Sequence, residues 1–454
     1  RILAEHKLTH NLEIDPSKKI HIEKISNELN PFVSITKNDL AQYQRIIKNN
    51  YFSSTIPIKT DLTKQELARF LTNKYLFNNI SLKTRLKRHY QHKELTSHVV
   101  GYINRINQKD IKLLTKNKRL SLYRGSDHIG KRGIEQRYEN LIHGIPGFKK
   151  IEVDAKGNII RTLEKKEPIH GQDIQLSIDI ELQKKAVDAF GNRKGALVAL
   201  APNNGEILAY VSQPYFNPNL FVNGIDHKNW NILNTNKARP LLDRVTKGLY
   251  PPGSTIKPFI AIAGLENNLR VPPFQINDPG FFTMPNQSKT FRNWKRDGHG
   301  QVDMVKAIAV SSDTFFYGLG LELGLDKMNQ TLKAYGFGHK TGVDILGEKN
   351  GLVANKEWKI KNKKERWYAG ETVITAIGQG FTLVTPIQLA NATAKIALPN
   401  NQNYVSPHLL LNSNQLKQRN DKLYTPPPNK KNTMSYIKEG MEAVTDSGGT
   451  AAFL

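Results

Sequence analysis

The sequence predicts an α+β protein in two parts. Residues 1–168 form an elongated, strand-rich N-terminal half, and residues 169–454 form an antiparallel sheet covered by helices. Three observations carry this reading. The chain has 454 residues, more than one hydrophobic core organises. Its first part mixes alternating, highly charged runs with short helical stretches. From about residue 169 a strand pattern, a helix pattern and a hairpin pattern follow one another, and a long helical region comes after them.

In the N-terminal half, "ILAEHKLTHNLEID" (2–15) alternates as a strand, and "ISNELNPFV" (25–33) and "LAQYQRIIKN" (40–49) read as short helices. "TDLTKQELARFLTNKYL" (60–76) is a clearer helix, capped by Asp61 or Thr63, with Leu67, Phe70, Leu71 and Tyr75 at helical spacing. "GFKKIEVDAKGNIIRTLEKK" (147–166) predicts a β-hairpin turning at "DAKGN". No catalytic grouping stands out here, and the half reads as a spacer or docking region.

Beyond it, "DIQLSID" (173–179) alternates as a strand and "IELQKKAVDAF" (180–190) reads as a helix. "GALVALAPNNGEILAYVSQ" (195–213) is a pair of apolar strands turning at Asn203-Asn204-Gly205. "YTPPPNKKN" (424–432) predicts an exposed loop, because consecutive prolines cannot join a ladder.

Composition narrows the chemistry. Cysteine is absent, which excludes disulfides, thiolate metal sites and a cysteine nucleophile. The formal charge of +26 attracts polyanions, but the basic residues are scattered lysines without a nucleic-acid-binding motif, so no nucleic-acid partner is expected. No stretch approaches the ~18 apolar residues of a membrane span. The sequence starts at Arg1 and stops at Leu454, and it reads as an internal piece of a longer protein.

The strongest local pattern is "GLYPPGSTIKPFIAIAGLEN" (248–267). Pro251-Pro252-Gly253 breaks the chain, and a buried apolar helix is expected from Ser254 onward, with Pro258 in its first turn. Ser254 and Lys257 then share a face at the helix N-terminus, where free N–H groups favour negative charge on a serine oxygen. A desolvated amine beside a hydroxyl is a base for it, so serine reads as nucleophile and lysine as its activator. Ser-x-x-Lys also occurs at Ser34-Lys37 and Ser435-Lys438, without the break and the buried helix. In "VKAIAVSSDTFFYGLGLELG" (305–324), two helices meet at Ser311-Ser312-Asp313, with Phe315, Phe316, Leu319 and Leu323 facing inward. Ser311 suits proton relay and Asp313 suits orienting an amine; the plain alternative is a helix cap.

Together these motifs resemble those of penicillin-recognising serine enzymes. With "NDPGFF", "FRNWKRDGHG", "RWYAGETVITAIGQGFTLVTPIQLANA", "GGTA" and, N-terminally, "STIPIKTDLTKQELARF", "HVVGYINRINQKD" and "HIGKRGIEQRYENLIHGIPG", the chain resembles the penicillin-binding protein 2 family over nearly its whole length. These are the class B D,D-transpeptidases of rod-shaped elongation. The resemblance implies a non-catalytic pedestal or dimerisation-type domain (1–168) and a transpeptidase domain (169–454). It implies Ser254 as nucleophile, Lys257 as general base, Ser311 as proton relay and Asp313 as the orienting member of the second motif. The implied reaction is attack on D-Ala-D-Ala stem peptides of peptidoglycan and transfer to a neighbouring amine, with β-lactams acylating the same serine.

Lys340-Thr341-Gly342 matches the third motif of that family in letters. The family's third motif lies on a strand well after the second and shortly beyond "GGTA", so the resemblance places it beyond Leu454 and leaves Lys340 outside the site. The 195–212 hairpin is then expected to keep an unpaired edge. The resemblance further implies stem peptides, β-lactams, a polytopic glycan polymerase and elongation scaffold proteins as partners. It implies a single N-terminal anchor in the bacterial inner membrane, with the catalytic domain in the periplasm, and no cofactor.

Asp278, Asp297 and His299 lie near a zinc position known in some relatives. Asn293 and Ser312 stand where better ligands would be expected, so a polar surface cluster without metal is the reading. Trp294, Trp367 and Tyr368 are candidates for lining the cleft or packing under loops. Two competing classes are a β-lactam sensor or serine β-lactamase, and a non-catalytic fragment or scaffold that retains the fold.

Overall fold

A computed structural model describes residues 1–15, 21–49, 55–123, 128–155, 159–285, 288–398, 404–411, 430 and 432–453. They fold as two compact units, Arg1–Ile174 with Pro214–Leu241 and Gln175–Gln213 with Leu242–Leu454.

The first unit is built on an antiparallel sheet in which the strand Ala4–Ile14 lies between Ile56–Lys59 and Ile80–Tyr90. The long pair runs unbroken from Ala4↔Tyr90 to Ile14↔Ile80. At one end Leu12, Ile14, Ile56 and Ile58 pack with Leu29, Tyr43, Ile46 and Phe70 from three helices, which gives this end a core. Elsewhere along the ladder the facing Leu8 and Leu86 are exposed.

The helix Lys64–Thr72 starts at Thr63, not Asp61. Thr63 Oγ1 accepts from Glu66 N at 3.2 Å, and Glu66 accepts from Thr63 N at 2.9 Å, a reciprocal cap. Asp61 has a left-handed backbone (φ 59°) and pairs with Lys87. Of the apolar residues read as one face, Phe70 is buried while Leu71 and Tyr75 are exposed, because the helix ends at Thr72 and Tyr75 falls in a 3-10 turn.

The expected hairpin forms as Phe148–Val153 with Ile159–Lys166, every residue of the second strand being exposed. Positions 156–158 of its turn lie outside the described residues. The excursion Pro214–Leu241 packs Phe216 and Phe221 on Tyr102 and Tyr90, and Asn219 bonds both the N–H and the C=O of Tyr90.

In the second unit, "DIQLSID" forms no strand; it makes one bridge, Leu176↔Leu410. Ser177 turns its buried hydroxyl onto Ile207 O at 2.8 Å, so the alternation reflects a single inward anchor. The helix Ile180–Phe190 follows, capped by Asp179. The hairpin Gly195–Leu200/Ile207–Gln213 forms as expected, with Gly205 at φ 77° and Glu206 N bonded to Asn204 Oδ1. Among the described residues these two strands pair only with each other as a sheet.

The core of the unit centres on the helix Lys257–Glu266, buried at every position but the last. It is apolar all round, as a helix must be when packed on every side. Against it lie the helix Met304–Ala309 and the helical stretch Asp313–Ala334, the latter broken at Gly324. Phe315, Phe316, Leu319 and Leu323 all face this core. In the proline segment 424–432, only 430 and 432 are described.

Candidate active site

Pro251 and Pro252 cannot continue a ladder or a helix, and Gly253 (φ 57°) turns the chain. Gly253 N donates to Gly378 O at 2.9 Å. Gly378 is itself at φ 74°, and a Cβ there would lie 2.1 Å from Gly253 O, so the contact needs glycine at 378 and the turn favours it at 253. Ser254 follows on a 3-10 turn, Gly253–Ile256, and the α-helix starts only at Lys257. In a 3-10 turn residues three apart eclipse, so Ser254 and Lys257 stay on one side. Ser254 is exposed, and among the described residues its hydroxyl has no hydrogen-bond partner.

Lys257 is 2% exposed. Its Nζ donates to Ser311 O at 2.8 Å, Ser311 Oγ at 2.9 Å and Asp313 Oδ1 at 2.6 Å, and lies 5.5 Å from the centre of the Phe316 ring. All three ammonium protons are thus placed. Burial draws its pKa below the ordinary lysine value, while the Asp313 charge and hydrogen bond pull it back up.

The second motif is the junction of two helices. Ser311 N bonds Ile308 O at 3.1 Å and Ser312 N bonds Ala307 O at 3.0 Å, the pattern that closes a helix with a left-handed residue. That residue is Ser311, at φ 52°, where glycine is the relaxed choice. The next helix is capped by Ser312, whose Oγ accepts from Phe315 N at 3.2 Å. The cap alternative therefore belongs to Ser312 alone. Ser311 and Asp313 are left to turn toward Lys257.

Asp278, His299 and Asn293 form a network behind this junction. Asp278 Oδ2 accepts from Asn293 Nδ2 (2.7 Å), Ser312 Oγ (2.8 Å) and His299 Nδ1 (3.0 Å), and Oδ1 accepts from Gly280 N (2.8 Å). Asn293 Oδ1 in turn accepts from Asp313 N at 3.3 Å. Burial alone would raise the Asp278 pKa, but the donors around it hold the carboxylate below its ordinary value. The cluster is buried rather than on the surface, with Asp278 and Asn293 at 1% and 5% exposure, and Asp297 stands outside it in solvent. These residues do not fit a zinc ion. An amide N–H and a hydroxyl point at the carboxylate oxygen a metal would need, and an amide nitrogen has no lone pair to offer. The sequence groups Asp278, His299, Asn293 and Ser312 but puts them on the surface with Asp297; their burial and their bonds to the second motif come from the tertiary structure.

Lys340-Thr341-Gly342 lies in irregular chain, not on a strand. Thr341 N and Oγ1 both donate to Glu348 Oε1 at 2.7 Å, and Gly342 N donates to Oε2 at 3.2 Å. The tripeptide does cradle a carboxylate, but one that belongs to the protein itself and is buried. Of the other Ser-x-x-Lys copies, Ser34 and Lys37 are exposed, and Lys438 is turned onto Ala397 O and Leu398 O.

Trp294 is 59% exposed, and its Nε1 bonds Val310 O beside Ser311. Trp367 packs near Phe381, and Tyr368 is exposed over Lys359. A largely apolar cleft of about 650 Å³ runs beside the serine loop, lined by Leu197, Leu200, Tyr250, Pro252, Leu389 and Thr393 among others.

Comparison with known proteins finds two family matches, and the second includes the Pro214–Leu241 segment that packs in the first unit. Residues 1–176 match the penicillin-binding protein dimerisation domain, and residues 195–453 match the penicillin binding protein transpeptidase domain. The peptidoglycan D,D-transpeptidase MrdA of Acinetobacter baumannii is 43% identical over 90% of this chain and 60% of its own length. That of Escherichia coli K12 is 35% identical over 90% of this chain and 65% of its own. The chain thus spans under two thirds of these relatives. Among solved structures, Helicobacter pylori PBP2 in complex with MreC matches all of this chain and 83% of its own, with a TM-score of 0.88 at 31% identity. Pseudomonas aeruginosa PBP2 in complex with WCK 5153 matches 81% of this chain and 76% of its own, with a TM-score of 0.68 at 40% identity. The chain belongs to the penicillin-binding protein transpeptidase family, in its class B PBP2/MrdA group.

Proposed function

We propose that the whole protein is a peptidoglycan D,D-transpeptidase working through an acyl-enzyme on Ser254. The observation that carries this is the threefold bonding of Lys257 Nζ to Ser311 and Asp313 beside an exposed, unpartnered serine. In its neutral form, which burial favours, the Lys257 amine takes the Ser254 proton as Oγ attacks the carbonyl of the D-Ala-D-Ala bond. Ser311 Oγ passes that proton to the departing D-alanine nitrogen, and Asp313 keeps the amine aimed. The developing oxyanion sits at the start of the helix beginning at Lys257, near the Ser254 N–H. An amine of a second stem peptide then attacks the ester and restores the hydroxyl.

Residues 1–168 serve as pedestal and 169–454 as catalytic domain in this reading, with the carboxylate-binding third motif supplied by chain other than Lys340. Elongation scaffold and glycan polymerase are the proposed partners, with stem peptides and β-lactams as ligands. The support is a PBP2 relative solved with MreC, and a further similar structure that describes polymerisation and crosslinking by a peptidoglycan synthase complex. No described helix is long and apolar enough to cross a membrane, and the proposed location is an inner-membrane anchor with a periplasmic catalytic domain.

The test is labelling of the full-length protein with a fluorescent penicillin, followed by mass mapping of the adduct. The reading expects one adduct, on Ser254, absent in Ser254→Ala. Folded protein that takes no label overturns it, and rapid turnover of the adduct turns it into a lactamase.

A further inference from the structure

We propose that Asp278 is a positioning residue of the acylation site, acting through a buried, metal-free hydrogen-bond network that holds the Ser311–Asp313 junction against Lys257. The inference rests on the functional reading above. Two routes lead from this one carboxylate to the motif. The first is direct: Ser312 Oγ donates to Asp278 Oδ2 while accepting from Phe315 N, so one hydroxyl ties the start of the second helix to the Asp278 strand. The second passes through Asn293, whose amide donates to Asp278 and accepts from the backbone N–H of Asp313. The first holds Ser312, between the two residues whose hydroxyl and carboxylate bind Lys257, and the second holds the backbone of Asp313 itself.

The strand carrying Asp278 is itself held. Its carbonyl accepts from His299 N at 3.2 Å, and Asn293 N bonds Gly280 O at 2.8 Å. A Cβ on Gly280 would lie 1.9 Å from Arg296 O, and one on Gly298 would lie 2.0 Å from Asp278 O. Two backbone segments are therefore locked together where side chains cannot enter, and the lock sets the place of the carboxylate.

The junction needs such a hold for two reasons. Ser311 sits in the left-handed region, which a non-glycine residue keeps only when its surroundings impose it. Lys257 also donates three bonds to two residues of the junction, so a displacement of ~1 Å loosens all three together and costs about a hundredfold in rate. The charged group facing Lys257 is Asp313; Ser311 and the Phe316 ring complete its surroundings. Tyr317, pushed up to about 12 by burial and Asp313, stays neutral.

The experiment measures the acylation rate of full-length protein by fluorescent penicillin across the neutral pH range, with and without EDTA, for wild type, Asp278→Asn and Ser312→Ala. Asp278→Asn turns an amide N–H toward donors; Ser312→Ala removes one bond and a cap and keeps the fold testable should the buried change fail to fold. The expectation is acylation slowed at least about tenfold in both variants, with the acid limb of the pH profile moved to lower pH. A merely structural role lowers the melting temperature and leaves the limb in place. EDTA should leave the wild-type rate unchanged. Variants with the wild-type rate and pH profile overturn the inference, as does a wild-type rate lost to EDTA and restored by zinc. Wild-type protein that takes no label at Ser254 overturns the functional reading, and this inference with it.

Discussion

Lys257 Nζ and Asp313 Oδ1 meet at 2.6 Å across the starts of two core helices, one at Lys257 and one at Asp313. Desolvation and a paired charge act on this amine in opposite directions, and the balance leaves its pKa below the ordinary lysine value. Asp313→Asn removes the counter-charge and keeps the burial, so the amine loses its proton at still lower pH. The acid limb of the acylation rate then shifts downward, while the plateau falls about tenfold or more because the amine is no longer aimed. Acylation rates over a pH series test both effects; an upward shift of the limb would contradict the assignment.

Ser311 occupies a helix-closing position that favours glycine. Ser311→Gly is expected to leave thermal stability within about 1 kcal/mol of wild type, since relief of left-handed strain offsets the lost hydroxyl bond. Acylation should fall by about a hundredfold or more, because the proton relay is gone. Calorimetry beside penicillin labelling separates the two; loss of fold and activity together would refute the assignment.

The Gly378–Gly253 contact shapes the serine loop from outside. Gly378→Ala places a methyl group 2.1 Å from Gly253 O at φ 74°, so the loop must move. A stability loss of more than about 1 kcal/mol is expected, together with a large drop in acylation. Unchanged labelling of this variant would show that the loop is held by other contacts.

Lys340→Ala should change the acylation rate by less than about twofold, since Thr341 and Gly342 beside it are turned onto Glu348. Thr341→Val removes a bond to a buried carboxylate and should lower stability by about 1–3 kcal/mol. A collapse of acylation in Lys340→Ala protein with normal stability would return Lys340 to the site.

Much of this was legible in the chain itself. The hairpins at 148–166 and 195–213, the buried helix after Pro251-Pro252-Gly253 and the paired helices around Ser311 follow from local rules of turn chemistry and apolar periodicity. Such rules act between residues close in sequence, so a linear reading captures them. They also set the spacing of Ser254 and Lys257, because one turn of helix does the work. Where a pattern was short, as in "DIQLSID", alternation recorded one buried hydroxyl rather than a strand. In the helix at Lys64–Thr72, termination one turn early left Tyr75 in solvent.

What the tertiary structure decided is which distant groups meet. Lys257 and Asp313 stand on different helices, and nothing local to either announces the 2.6 Å contact. Asp278 reaches Ser312 and Asn293 across segments that the sequence separates, and Gly378 reaches Gly253 in the same way. The letters Lys-Thr-Gly occur at 340–342 in a loop around an internal glutamate, so the tripeptide alone could not fix its own role. Periodicity and turn residues determine the elements. The packing of apolar faces then brings polar groups together in the dry interior, where an unpaired one is costly and few sets of partners satisfy most of them.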